Sequence, residues 1–542
     1  MAGSAAVMSL NAVGRQDEYF DGEDSFFDFN QSRHSNFTIY QRSTKIKKPA
    51  TTTSATWPFG ETIQVRLNPQ NMGDLLCNMY LKCTLPQNNV EGVAFEYAAD
   101  VGKALIQTAE FRVDEYELET LYTDWSVIYS ELYLTEEEKE GLKFLDNNGQ
   151  PSGSLPGETS NGMKLFVPLY FFFGRRHSSQ DFDNKLLSDK YFKPYFPLCA
   201  IHKQHIFLNI TFNNTSFFTD PTTNVELPQF EIVTEEVTLT PTERSYIINN
   251  KQSITTELMR RQSPIDIDSF FVEAKNNLVP RIPVKTLHWF FRRDEFEKNP
   301  AEIANRFNFG NYYSGPTTSN IYAQAENPIM SDAELFVNGT QNLGFMESDA
   351  RNSTSTANYF KHQVPFKVGL SSPLRNIYTY SFSLKPKDPL PTGALDFSQL
   401  NSDKTFLLAS LLETGKDSTA TTTKNENSVI ATVTGTVQTT QSGTTLTITA
   451  TANCESTIQI YYNNNFYDQS SGPVLSYTAA PTIERINNEI YVVASNLQND
   501  GTATTSSISL IKPPLVYKYH LYYTGYQTLE FENGFVSPTF ST

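Results

Sequence analysis

The sequence predicts an all-β protein of sandwiches or jelly rolls, and three observations carry the prediction. Short segments alternate apolar and polar residues, with clusters rich in Pro, Gly and Asn between them. The chain divides into two stretches of comparable size, each suited to one eight-stranded jelly roll. A third stretch, roughly residues 413–513, differs from both in composition and reads as a small inserted β domain.

The elements follow in order. Thr123–Leu132 and Glu136–Glu140 read as helix, with Asp124 a candidate cap for the first, and the cluster Asn147–Gly153 as a turn. Ile206-Phe-Leu-Asn-Ile-Thr-Phe212 alternates and is rich in β-branched and aromatic residues, as are Gln229–Thr234 and Glu236–Thr240. Pro241 to Arg261 contains a second possible helix. Ile377–Leu384 and Tyr517–Tyr523 return to strand, and Pro386–Pro389 is a turn. Period-2 alternation puts one face in a core and the other in water.

This gives an N-terminal arm at 1–38, a first jelly roll at 39–238, a linker at 239–262 and a second jelly roll at 263–542 carrying the insertion. Ala109-Glu-Phe-Arg-Val113 and Ala333-Glu-Leu-Phe-Val337 form a short internal echo, each ahead of a polar turn. In the insertion, 20 of the 44 residues from Thr414 to Thr457 are Ser or Thr, and no charged residue lies between Val429 and Cys454. Thr favours extended backbone, so Val429–Thr434 and Thr445–Ala450 read as a hairpin about Gln441-Ser-Gly443. The arm holds Phe20, Phe26, Phe27 and Phe29, an aromatic load suited to packing against something.

Composition excludes several classes. With 42 basic against 59 acidic residues the formal charge is −17, the wrong sign for coating a phosphate backbone. Lys45, Lys47 and Lys48 are the best basic cluster and read as solvated lysines. No run of apolar residues is long enough to span a membrane. Cys77, Cys83, Cys199 and Cys454 form no CxxC pair, and Met1–Leu10 lacks a basic stretch followed by an apolar one. These features predict synthesis in the reducing cytosol. Asn30, Asn36, Asn209, Asn213, Asn214, Asn338 and Asn352 fit the N-glycosylation triplet and are candidate acceptors if sugar is added outside the secretory route.

Catalytic and metal-binding constellations are missing from the sequence, and the expectation is no catalytic residue, no metal and no cofactor. His202 and His205 stand three apart at the start of a strand, where they point to opposite faces and cannot chelate together. Glu235-Glu236 and the pair Asp266 and Asp268 are read as solvated carboxylates rather than a glycosidase dyad. Trp57, Trp125, Trp289, Phe171–Phe173 and Trp289–Phe291 are read as core. The pairs Arg175-Arg176 and Arg292-Arg293 are read as contacts to a neighbouring subunit or as strand caps in solvent.

Several segments, in order, resemble the major capsid proteins of nucleocytoplasmic large DNA viruses. They are Gly14–Gly22 with Arg33–Phe37, Val65-Arg66 to Leu85-Pro86, Gly102–Ile106, Val167–Phe173, Phe196–Ile201 and Glu243-Arg244. Pro283–Trp289, Val337-Asn-Gly339, Tyr359-Phe360, Ile377–Pro386, Pro391-Thr-Gly393, Asp396-Phe-Ser398 and Tyr526–Phe540 continue the series. Val13-Gly14-Arg15 departs from the family's usual opening, and the insertion is unlike most members. The resemblance implies a double jelly roll and a homotrimer that looks hexagonal from outside. It further implies an icosahedral shell around an inner membrane, with neighbouring capsomers and minor capsid and vertex proteins as partners. The competing classes are a lectin-like carbohydrate-binding or adhesion β-sandwich, a minor capsid or vertex protein, and a cupin-type enzyme. The sequence lacks the spaced Asp cluster of the lectins and the clustered His and carboxylate ligands of the cupins.

Overall fold

The computed structural model describes residues 36–86, 97–147, 163–175, 195–219, 225–268, 273–300, 302–311, 321–343, 358–387, 391–411 and 516–539. It also describes the backbone of two short strands, Asn89–Val90 and Val93–Ala94, and of the strands between 429 and 511. Residues 1–35 of the N-terminal arm, with Asn30, and Arg176 and Asn352 lie outside the described residues.

Eight principal strands build the first half, besides short two-residue strands such as Phe196–Pro197 beside the third: β1 (Thr38–Lys47), β2 (Thr62–Leu67), β3 (Leu75–Leu85), β4 (Ile106–Val113), β5 (Tyr116–Tyr122), β6 (Met163–Leu169), β7 (Ile206–Phe212) and β8 (Gln229–Thr238). They form two sheets, ordered β1-β8-β3-β6 and β2-β7-β4-β5. First pairs with last, second with seventh, third with sixth and fourth with fifth, all antiparallel. That nested pairing is the jelly roll. Alternation sets the faces, as in β7, where Ile206, Leu208, Ile210 and Phe212 are buried and the residues between them are half-exposed.

The second half repeats the plan. Its principal strands are β9 (Gln252–Asp268), β10 (Glu273–Asn277), β11 (Val284–Arg293), β12 (Met330–Val337), β13 (Thr340–Leu343), β14 (Tyr378–Ser381), β15 (Phe406–Leu411) and β16 (Val516–Glu532), with Phe535–Pro538 folding back on the last. The sheets are ordered β9-β16-β11-β14 and β10-β15-β12-β13, the same topology with every index raised by eight. The sequence echo falls on equivalent strands: Ala109–Val113 lies in β4 and Ala333–Val337 in β12, the fourth strand of each half. Asn338 and Gly339 both have positive φ, as a two-residue hairpin between β12 and β13 requires.

Helices lie in the connections. Between β5 and β6 come α1 (Thr123–Leu132) and α2 (Glu136–Leu145). Thr135 caps α2 through a reciprocal bond pattern with Glu138. Asp124 does not cap α1: Tyr122 occupies the cap position, and the Asp124 carboxylate turns inward. The linker forms α3 (Pro241–Asn249), capped by Thr240, and strand resumes at Gln252, so the second half begins before residue 263.

The insertion lies in the connection from β15 to β16. Val429–Thr440 pairs with Gly443–Ala452, the expected hairpin, within a four-stranded sheet that also contains Gly472–Pro473 and Thr504–Ile511. Asn465–Tyr467, Ile458–Tyr462, Glu489–Val493 and Thr482–Ile486 make a second four-stranded sheet.

Each jelly roll has its own core. In the first, Phe111 is ringed by Phe171, Phe172, Phe173 and Phe196 at centroid distances of 5.6, 6.3, 5.1 and 5.4 Å. In the second, Leu287, Trp289, Phe291, Leu335, Leu407 and Tyr519 pack together. Phe290 and Tyr522, from β11 and β16, belong instead to the first core. The two halves therefore share apolar packing.

Candidate functional site at the seam between the halves

The third strand of the second half joins the two jelly rolls. All ten residues of β11 are buried, because both of its faces are covered. Leu287, Trp289 and Phe291 point into the second core, and Thr286, His288, Phe290 and Arg292 point at the first half. Helix α1 lies over that outer face. Trp125 is 6.0 Å from the His288 ring and 6.3 Å from Tyr522, centroid to centroid. The Tyr133 hydroxyl sits 3.1 Å from His288 Nε2.

Buried ion pairs cross the seam. Arg292 donates to both Asp124 oxygens at 2.7 and 3.2 Å, to Glu297 at 2.9 Å and to the Arg306 carbonyl at 3.1 Å. The Tyr522 hydroxyl donates to Asp124 at 3.3 Å. Glu119 accepts from Arg175, from Phe172 N at 2.8 Å and from Met259 N at 2.7 Å. Arg375 reaches Asp100 and, at 2.9 Å, Glu131 of α1. Arg306 caps three carbonyls, those of Phe217, Ser216 and Phe296, at 2.7, 2.9 and 2.6 Å.

Burial would weaken the Arg292 charge, but Asp124 and Glu297 outweigh it and hold the guanidinium above its ordinary range. Burial also opposes the Glu297 charge. Arg292, with His520 and Lys518, prevails and holds that carboxyl down at about 2. Arg306 is lowered to about 10 by burial and by Arg292 beside it. His288 and His520 are pushed down to about 3, chiefly by burial, and stay neutral at ordinary pH. A cavity of about 470 Å³ opens in the seam beside Asp124, Asn213, Arg261, Arg292, Glu297 and Arg306. Chemically the seam is a clamp, with carboxylates and guanidiniums consumed by one another and the histidines held uncharged.

Residues 25–255 match the family described as major capsid protein N-terminus, and residues 235–461 match large eukaryotic DNA virus major capsid protein. Together the two matches run from residue 25 to residue 461, through the first jelly roll and the second as far as β15. The chain belongs to the major capsid proteins of large eukaryotic DNA viruses. Curated relatives agree. The major capsid protein of Pyramimonas orientalis virus is 22% identical over 399 residues, covering 73% of this chain and 90% of the relative. That of Paramecium bursaria Chlorella virus 1 is 23% identical over 421 residues, covering 74% and 86%. Among solved structures, PBCV-1 VP54 superposes with a TM-score of 0.59 at 15% identity, covering 96% of this chain and all of that one. The quasi-atomic PBCV-1 capsid superposes with a TM-score of 0.58. This capsid protein thus has the double jelly-roll fold and a structural role in the virion.

The residues singled out in the sequence fall as follows. Trp57, Trp125, Trp289 and Phe171–Phe173 are core, as expected. Arg175, Arg292 and Arg293 are neither subunit contacts nor solvent caps: they are at most 5% exposed and bonded within the chain. Arg293 donates to Asn311 and to Glu295. Glu236 is not solvated. It is fully buried and accepts from Tyr40, Arg42, Gly73 N and Thr234. His205 is exposed and lies 2.9 Å from an Arg66 nitrogen, and among the described residues no group of three His, Cys, Asp or Glu is placed to hold a metal. Lys45 and Lys48 pair with Glu231 and Glu226 rather than forming a bare basic patch. Asn36, Asn214 and Asn338 are exposed, and Asn209 is half-buried with its amide on Glu110. Asn213 is buried and its amide nitrogen donates to the Ala104 carbonyl at 2.8 Å, which leaves no access for a sugar.

Proposed function

We propose that three copies of this capsid protein close into a pseudo-hexagonal capsomer and that capsomers tile an icosahedral shell. The observation that carries the reading is one eight-stranded topology repeated twice in a single clamped chain. Three chains then supply six like blocks, and a threefold ring takes a six-sided outline. Neighbouring capsomers, minor capsid and vertex proteins and an inner viral membrane are the partners this assembly requires. The acidic balance argues against direct contact with nucleic acid. The chain acts as a building block and not as an enzyme, and it is made in the host cytoplasm. Burial raises the Cys83 thiol to about 12 and the Cys199 thiol to about 11, which suits inert packing residues. Asn36, Asn214 and Asn338 are the acceptors open to a sugar.

The test is light scattering on the purified chain at micromolar concentration, with electron microscopy of the same sample. A trimer of hexagonal outline is expected. A stable monomer, or a ring of five, would overturn the reading and favour a vertex protein.

A further inference from the structure

The cavity in the seam carries more positive than negative groups on its walls. Its cations come from the second half: Arg261 of β9, Arg292 near the end of β11, Lys298 and Arg306. Among the described residues its carboxylates are Asp124 of α1 and Glu297. The whole chain has a formal charge of −17, so this positive lining is a local feature and not a consequence of composition.

Both carboxylates are already engaged. Arg292 holds both oxygens of Asp124, and Glu297 is held by Arg292 at 2.9 Å and by Lys518 at 3.0 Å. Lys298 pairs with Asp294 at 2.7 Å. Arg261 and Arg306 stand outside this cancellation, and among the described residues neither forms an ion pair. Arg261 is half-buried and lies over the Tyr122 ring, 4.6 Å from its centroid. Arg306 is 2% exposed and donates to carbonyls alone. Burial and the neighbouring Arg292 oppose its charge, and Glu302 and Glu297 do not offset them.

A charge so deeply buried ordinarily has a counter-charge. The carbonyls take one N–H from each nitrogen of Arg306, which leaves one N–H on Nη1 and one on Nη2. Acceptors are short at Arg292 as well, where Nε is buried without a partner. The first half faces these guanidiniums across the cavity with Thr108, Asn214 and Ser216, whose hydroxyl and amide groups can donate.

We propose that the cavity binds a phosphate-type oxyanion, free or borne on a small phosphorylated compound, with Arg261 and Arg306 as its charged ligands. A guanidinium fork matches two oxygens of such an anion, a geometry that chloride does not offer. At about 470 Å³ the cavity lies within the ~300–1,000 Å³ of small-molecule pockets, so it admits a substituent on the phosphate. The ligands come from both halves, and binding therefore tightens the seam. The cavity lies within one chain, so the inference does not depend on the capsomer.

The test is calorimetric titration of the full-length chain with inorganic phosphate and with glycerol 3-phosphate, in chloride buffer at constant ionic strength. Saturable binding of one anion per chain is expected, and about 20 mM phosphate should raise the melting temperature by roughly 2 °C or more. Arg261→Gln breaks no ion pair. It should melt as the unaltered chain does without phosphate, and bind phosphate roughly tenfold or more weakly. Arg306→Gln should lose binding too; should it not fold, Arg261→Gln decides alone. Lys47→Gln, at an exposed position at the end of β1, should leave binding unchanged. Tighter binding of glycerol 3-phosphate than of phosphate assigns the site to an ester, and equal or weaker binding assigns it to the free ion. Absence of saturable binding overturns the proposal, as does binding that survives either arginine change at full strength. Phosphate then acts on this chain only as a stabilising salt.

Discussion

At Arg292 a single guanidinium binds Asp124 of the first half and Glu297 of the second. Asp124 has few other supports: the Tyr522 hydroxyl at 3.3 Å, and a His520 ring held neutral. Removing one member of such a pair strands a charge away from water, which costs about 3–5 kcal/mol. Arg292→Met should therefore lower unfolding free energy by about that amount, measured by urea titration. Combining it with Asp124→Leu should recover most of the loss, because no buried charge is then left alone. A double variant as unstable as the single one would show that the carboxylate does other work.

At the scale of elements, each strand of the jelly rolls is held by neighbours in its own half, and the insertion supplies none of them. β15 pairs with β10 and β12, and β16 with β9 and β11, on both sides of the insertion point. Replacing residues 414–512 by a short Gly/Ser linker should leave the melting temperature of the scaffold within a few degrees and remove a surface projection from images of the capsomer. Loss of the trimer would make the segment part of the assembly. This element was legible because its Thr-rich composition breaks the pattern of the chain. The jelly rolls were legible because strands such as Ile206–Phe212 have one wet face. The seam was not. β11 reads Val-Lys-Thr-Leu-His-Trp-Phe-Phe-Arg-Arg, and its failure to alternate was the available signal that both faces are buried. Arginines at its end look like solvent caps until Asp124 and Glu295, from other elements, come beside them. Glu119 and Glu236 sit among many surface carboxylates, and only the folded chain distinguishes them.

Across the whole molecule the seam makes the two halves one cooperative unit, since Phe290 and Tyr522 fill the first core while belonging to the second half. That unit is sensitive to acid, and the direction follows from its histidines. His288 and His520 are held down at about 3 in the fold, against 6.5 for a solvated imidazole. Between those values the unfolded chain binds a proton on each and the folded chain does not. Stability is therefore complete above about pH 6.5 and falls as the pH drops toward 3, by up to about 1.4 kcal/mol per pH unit for each ring. Glu297, lowered to about 2 from 4.5, adds loss in the same direction below its ordinary value. Thermal melts should show one transition for both halves, moving to lower temperature across this window. His520 offers the sharper check. Its ring stacks on Phe290 at 4.7 Å and 10°, and neither ring nitrogen has a hydrogen-bond partner. His520→Phe should thus keep or raise the melting temperature at pH 7.5 and flatten the acid slope by about one proton, the share of one imidazole. An unchanged slope would mean that His520 does not resist protonation in the seam. Two separate transitions would mean that the halves unfold independently and that the shared packing of Phe290 and Tyr522 does not couple them.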